Sequence, residues 1–252
     1  MIGTLFLDAA CVSKIGRIRK NNEDNFYFDG HFLQSDVSET EQPLLIYERK
    51  IKGVLFGLFD GMGGEEYGEE ASVAAAKLCL TLHRKVFQKP LDFLNASAQE
   101  MNLAVVARQE KLGTSRMGTT MNLLYFTGNT AFLANLGDSR SYILRNGELK
   151  QLSKDHADMH YVSRSGKAPL TQYLGVDPEL LILEPSNAEV KLQRGDKFLL
   201  CSDGITDMLS DHEITEILNK NQSVRRAVKK LSDAALIKGG KDNLTAILVK
   251  VY

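Results

Sequence analysis

Five short segments of the chain place acidic residues at strand ends or turns: Asn22-Glu23-Asp24, Asp60-Gly61-Met62-Gly63-Gly64, Gly137-Asp138-Ser139-Arg140, Ser202-Asp203-Gly204 and Lys241-Asp242-Asn243. Asp60, Asp138 and Asp203 each follow directly on an apolar strand pattern, at 54–59, 130–136 and 197–201. A carboxylate at the end of a buried strand loses hydration, which is costly unless it is paired or holds a cation. Mg²⁺ and Mn²⁺ take oxygen ligands and keep several waters, so a few carboxylates suffice. Two such ions bridged by a shared carboxylate can hold a hydroxide and a phosphoryl oxygen together. No His/Cys cluster with zinc spacing competes.

The glycine-rich loop after Asp60 could also suggest a phosphate cradle. The helix that follows opens with Glu65, Glu66, Glu69 and Glu70, whose charge would repel an anion, and the Lys-Ser/Thr of a P-loop is missing. The loop is better suited to presenting Asp60 and the Gly61 carbonyl to a cation, with Gly63 and Gly64 allowing a tight turn. Each segment alone reads as an ordinary turn, or in the case of Asp203 as a helix cap. Ser141 stands where a nucleophile elbow needs glycine, and no segment fits an EF-hand loop. The specificity lies in the ordered set.

Elements must bring these segments together. Strands are expected at 4–13, 25–29, 44–48, 53–59, 119–126, 130–136, 141–144, 149–152, 181–188, 197–201 and 244–251, with a polar loop at 35–42. Helical spacing of apolar residues marks 71–86, 94–112, 211–219 and 224–237. Asn146-Gly147 is a two-residue hairpin signal. The stretch 154–170 is polar and reads as an exposed flap. Strands come in antiparallel runs rather than alternating with helices, which predicts an α+β layered fold over a doubly wound parallel one.

The chain has 252 residues, 43% hydrophobic and 25% charged, and 31 basic against 32 acidic side chains give a net charge of -1. That composition is globular, and its balance argues against nucleic acid or an anionic membrane as partner. No internal repeat or linker divides the chain, which favours one domain. No apolar run approaches a transmembrane helix, and the first eleven residues lack the basic region of a signal peptide. Three widely spaced cysteines, Cys11, Cys79 and Cys201, read as buried thiols of a cytoplasmic protein.

The ordered set resembles a family. Arg19-Lys20-Asn21-Asn22-Glu23-Asp24, the Asp60 segment, Gly118-Thr119-Thr120, Gly137-Asp138-Ser139-Arg140, Leu174-Gly175, Ser202-Asp203-Gly204 and Asp242-Asn243 are similar to the motifs of the metal-dependent serine/threonine protein phosphatases, the type 2C or PPM family. They occur in family order from about residue 9 onward, and Met62, where eukaryotic members usually carry His, is similar to the bacterial branch. The resemblance implies a four-layer α-β-β-α sandwich, two antiparallel sheets flanked by pairs of helices, forming a single catalytic domain over 1–252 with a short flap at 154–170. It implies a centre of two Mg²⁺ or Mn²⁺ ions, with a weaker third. Asp60 matches the bridging ligand, Gly61 a carbonyl donor, Glu23 a ligand of one ion, Asp203 and Asp242 ligands of the other, and Asp138 a ligand of the third. Arg19 matches the arginine that grips the substrate phosphate.

The implied reaction is hydrolysis of phosphoserine and phosphothreonine on proteins by a metal-bridged hydroxide, in opposition to Ser/Thr protein kinases. Nucleic acid and membrane are not expected as partners, and a monomer is the family default. Met62 stands where eukaryotic members place a general acid, which leaves a metal-bound water, His156 or His160 for that task. Two rival readings are a phosphatase dedicated to one small regulatory protein, in the manner of the anti-sigma antagonist phosphatases, and a pseudophosphatase. The full set of carboxylates with Arg19 argues against the second.

Overall fold

The computed structural model describes residues 4–34, 37–62, 67–82, 89–158, 160 and 168–252. One sheet has the order β3 (Leu44–Lys50), β1 (Phe6–Lys14), β12 (Leu244–Val251), β11 (Lys197–Cys201), β8 (Arg140–Arg145), β9 (Glu148–Gln151). The other runs β10 (Ser186–Lys191), β7 (Thr130–Leu136), β6 (Met121–Thr127), β4 (Lys52–Met62), β2 (Asp24–Phe28), and β5 (Gly118–Thr119) pairs with the end of β4. Neighbouring strands pair antiparallel throughout.

Side-chain alternation sets the layers. On β4, Val54, Phe56 and Leu58 face the opposite sheet, while Leu55 and Phe59 face helices. Burial on both faces explains why this strand is a continuous apolar run in sequence. Between the sheets Phe126 meets Phe56 and Phe198 edge-on, at centroid distances of 6.1 and 5.3 Å, within a core that includes Leu7, Leu200 and Ile247. Helices α1 (Gly68–Leu82) and α2 (Pro90–Leu112) cover the outer face of one sheet through Ala71, Ala75, Leu94 and Met101. The short α3 (Asp203–Thr206) with α4 (Asp211–Lys220) and α5 (Val224–Ile237) covers the other through Ile205, Ile214, Leu218, Val228 and Leu231. This is the four-layer α-β-β-α sandwich expected from the resemblance.

Local signals account for the boundaries. Pro90 opens α2, and Gly113, at φ 68°, ends it with its N–H turned back to the carbonyls of Gln109 and Glu110. Asn146 and Gly147 have φ of 53° and 86°, the left-handed pair that a type I′ turn between β8 and β9 requires.

One strand differs from the expectation. The run 181–188 is extended by pattern, but ladder pairing starts only at Ser186, opposite Asn135. Pro185 has no N–H to give a ladder, and Ile182 points to solvent at 76% exposure. The alternative reading of Asp203 as a helix cap is close: a four-residue turn, α3, starts at Asp203 with Ser202 at its N-cap, too short to show a period. The predicted end of the first helix at Val86, and the flap positions 159 and 161–167, lie outside the described residues. The described part of the flap is tied by a bridge between Ala157 and Leu170.

The topology collects strand ends. Asp24 pairs opposite Asp60, Arg140 opposite Cys201, Lys14 opposite Leu244, and Met121 opposite Leu136. These are the ends of strands that lie side by side, and the connections after β1 and after β7 cross from one sheet to the other there. Every acidic segment singled out in the sequence is therefore at the same end of the sandwich.

Candidate active site

Arg19, Glu23, Asp60, Gly61, Asp138, Asp203 and Asp242 all line one cleft of about 910 Å³, together with Met62, Thr120, Asp207 and Lys241. The structure thus brings together all seven metal- and phosphate-site residues expected from the sequence.

Asp60 and Glu23 are held through their backbones. Asp60 donates its N–H to Thr120 Oγ1 at 2.9 Å, and its carbonyl accepts from Thr119 Oγ1 at 3.0 Å. Thr120 Oγ1 also bonds Ser139 Oγ at 2.9 Å, which ties Asp60 to the turn that bears Asp138. Glu23 donates its N–H to Asn243 Oδ1 at 2.8 Å, next to Asp242. Glycine is needed where these segments touch. A Cβ on Gly61 would collide with the carbonyl oxygens of Glu23 and Gly68, and one on Gly204 with that of Asn243. A Cβ on Gly68 would lie 2.7 Å from Glu23 Oε2.

Burial leads the electrostatics of the site, and neighbouring charges add to it. Burial raises the Glu23 carboxyl above its usual range, Glu69 and Asp242 add to the effect, and Arg19 opposes it. Asp24, fully buried behind the cleft, is pushed up to about 7, mainly by burial. Bonds from Ser202 and Thr245 work against that shift, and Asp203 and Asp242 reinforce it. Ser202 Oγ donates to Asp24 Oδ2 at 2.7 Å. Arg19 Nη2 donates to Asp242 Oδ2 at 2.7 Å. Partial burial acts to lower the arginine's pKa, and the Asp242 bond with the fields of Asp242, Glu23 and Asp203 more than offsets it.

Among the described residues no three acidic, histidine or cysteine side chains close into a ready metal cage. They line an open wall instead, and that suits ions that keep several waters and need few protein ligands. The donors are carboxylates and the carbonyl of Gly61. An all-oxygen set of this kind fits Mg²⁺ or Mn²⁺.

Other sequence candidates are placed elsewhere. His156 Nδ1 accepts the Gly137 N–H at 3.2 Å, and His156 is not among the described cleft-lining residues. His160 is exposed. Arg140 of the Gly-Asp-Ser-Arg segment binds Asp155 through Nε and Nη2, at 2.9 and 2.7 Å, and so anchors the start of the flap. Burial pushes the thiols of Cys11, Cys79 and Cys201 up, which leaves them poor nucleophiles. Sequence reasoning gave no role to Asn243, Thr120, Ser202 or Gly68, although the first three stand within or beside quoted motifs.

A family model described as "Protein phosphatase 2C" matches residues 13–160 and 157–244. The chain is 32% identical to the serine/threonine phosphatase stp of Listeria monocytogenes over 93% of this chain and 92% of that one. Its fold is similar to that of PppA, described as a key regulatory component of T6SS in Pseudomonas aeruginosa, with TM-score 0.80, 28% identity and 98% of each chain covered. It is also similar to the catalytic domain of the serine threonine protein phosphatase PstP in complex with two manganese ions, with TM-score 0.78, 32% identity, and 98% and 99% of the two chains covered.

Proposed function

The chain belongs to the protein phosphatase 2C family and is a metal-dependent serine/threonine protein phosphatase, and on that footing we propose that Glu23, Asp60, Gly61, Asp138, Asp203 and Asp242 hold its Mg²⁺ or Mn²⁺ ions while Arg19 grips the phosphate. The single observation that carries this assignment is the convergence of all seven residues on one cleft from segments spread across the chain.

When bound, the ions supply Lewis acidity that makes water a nucleophile at neutral pH and offsets charge on the phosphoryl oxygens. The chain's own residues do the rest. Asp60, fixed through both its N–H and its carbonyl by Thr120 and Thr119, would be shared between the ions. Arg19 orients the phosphoryl group and neutralises its oxygens as charge develops. Met62 on the cleft wall has no proton to give, and the described wall contains no histidine. The buried thiols fit direct hydrolysis with no phosphoenzyme on cysteine.

The substrates are phosphoproteins, and the finer reading is a monomeric cytoplasmic enzyme that opposes Ser/Thr protein kinases. No helix among the described residues is long and apolar enough to cross a membrane. We read residues 1–252 as one catalytic domain with a short flap at 154–170. Hydrolysis of a phosphothreonine peptide tests the function. Activity is expected with Mn²⁺, is abolished by EDTA, and falls by more than about 100-fold in Asp203→Asn, since even outer-shell changes at metal sites cost about 10–100-fold. Equal activity in all three conditions removes the metal assignment, and none in any of them leaves a binding protein without turnover.

A further inference from the structure

Arg19 and Asp242 have different tasks in the reading above, yet they are bound to each other. Arg19 Nη2 lies 2.7 Å from Asp242 Oδ2, in a contact between residues 223 positions apart. The acid sits inside the cleft at 17% side-chain exposure, and the base sits at its mouth at 47%. Asp242 Oδ1 accepts the Asn243 N–H at 2.8 Å, so the carboxylate is oriented by its own backbone and turns Oδ2 to the arginine. A guanidinium and a divalent cation seek the same kind of oxygen and repel each other at close range. A guanidinium engaged on a carboxylate also has one fewer N–H edge to offer a phosphate in the two-pronged geometry that makes arginine a strong phosphate binder.

We propose that Arg19 competes with the incoming cation for Asp242 Oδ2, so that cation binding at Asp242 turns the guanidinium over to the substrate phosphate. The grip on phosphate is thereby coupled to metal occupancy, and the coupling is reciprocal. Phosphate that engages Arg19 strengthens cation binding, and a cation on Asp242 strengthens phosphate binding. This rests on reading Asp242 as a metal ligand.

Calorimetric titration of metal-stripped protein with Mn²⁺, with and without sulfate as a tetrahedral dianion at constant ionic strength, tests it. Arg19→Met keeps the apolar stem and removes the charge, whereas Arg19→Lys keeps the charge. Without sulfate, Arg19→Met is expected to bind Mn²⁺ about two- to five-fold tighter than the wild type, the range of a partly exposed ion pair. Arg19→Lys is expected to stay near the wild type. Sulfate is expected to tighten Mn²⁺ binding in the wild type and not in Arg19→Met. Unchanged or weaker Mn²⁺ affinity in Arg19→Met overturns the competition, and equal tightening by sulfate in both proteins overturns the coupling. A wild type that binds no Mn²⁺ sinks the underlying metal assignment instead, so the two failures are distinguishable.

Discussion

Asn243 holds three points of the β1–β2 connection with one side chain. Its Oδ1 accepts the Glu23 N–H at 2.8 Å, and its Nδ2 donates to the carbonyls of Ile15 and Asn21 at 2.9 and 2.7 Å. It is buried, its neighbour is Asp242, and its carbonyl abuts Gly204 next to Asp203. It touches no substrate, so it is a positioning residue. Asn243→Ala strands a buried N–H and two carbonyls, a loss of about 1–3 kcal/mol in stability. Mn²⁺ affinity is expected to fall about 10–100-fold in the same variant, as when other outer-shell partners of metal ligands are removed. Denaturant unfolding and calorimetric Mn²⁺ titration separate the two effects. A stability loss with wild-type Mn²⁺ affinity would reduce Asn243 to a structural residue.

Among the elements, α4 has the most explicit start signal. Ser210 Oγ accepts the Glu213 N–H at 3.4 Å, and Glu213 Oε2 accepts the Ser210 N–H at 3.0 Å, closing a capping box. Lys238 at the end of α5 reaches back to Glu213. That contact, followed by the two Ser210 bonds, pulls the Glu213 carboxyl down to about 2 from 4.5. A carboxyl with a depressed folded-state value stabilises fully above its ordinary value, and the contribution disappears as pH falls through the folded one. The stability gap between the wild type and Glu213→Gln is therefore expected to be widest above pH 4.5 and to close toward pH 2. A gap that stays constant over that range would break the assignment. Ser210→Ala is expected to cost about 1 kcal/mol at neutral pH. Elements with such local signals, including the Asn146-Gly147 hairpin and the two-faced apolar strand β4, were legible in the sequence. The start of β10 was not, because the pattern at 181–188 reports extended backbone while pairing needs a partner and an N–H that Pro185 lacks. The α3 turn has too few residues for any period to show.

For the molecule as a whole, a net charge of -1 conceals an uneven layout. The sandwich sets the ends of both sheets against each other and concentrates carboxylates in one cleft, where the divalent ions proposed to bind would offset them and make the site attractive to phosphate. Asp60, Asp138 and Asp203 could be read from the sequence because each ends a strong strand pattern. The partners that fix and tune the site could not, because they are joined only by the fold: Ser202 to Asp24 across 178 positions, Arg19 to Asp242 across 223. Arg140, quoted only within the Asp138 motif, is tied to Asp155 at the start of the flap across 15 positions. The most direct test of the central claim is the anomalous scattering of crystals grown with Mn²⁺. Two strong peaks are predicted in this cleft, both in coordination contact with Asp60, one also with the Gly61 carbonyl and the other with Asp203 and Asp242. Peaks elsewhere, or a cleft without manganese in crystals saturated with it, would contradict the account.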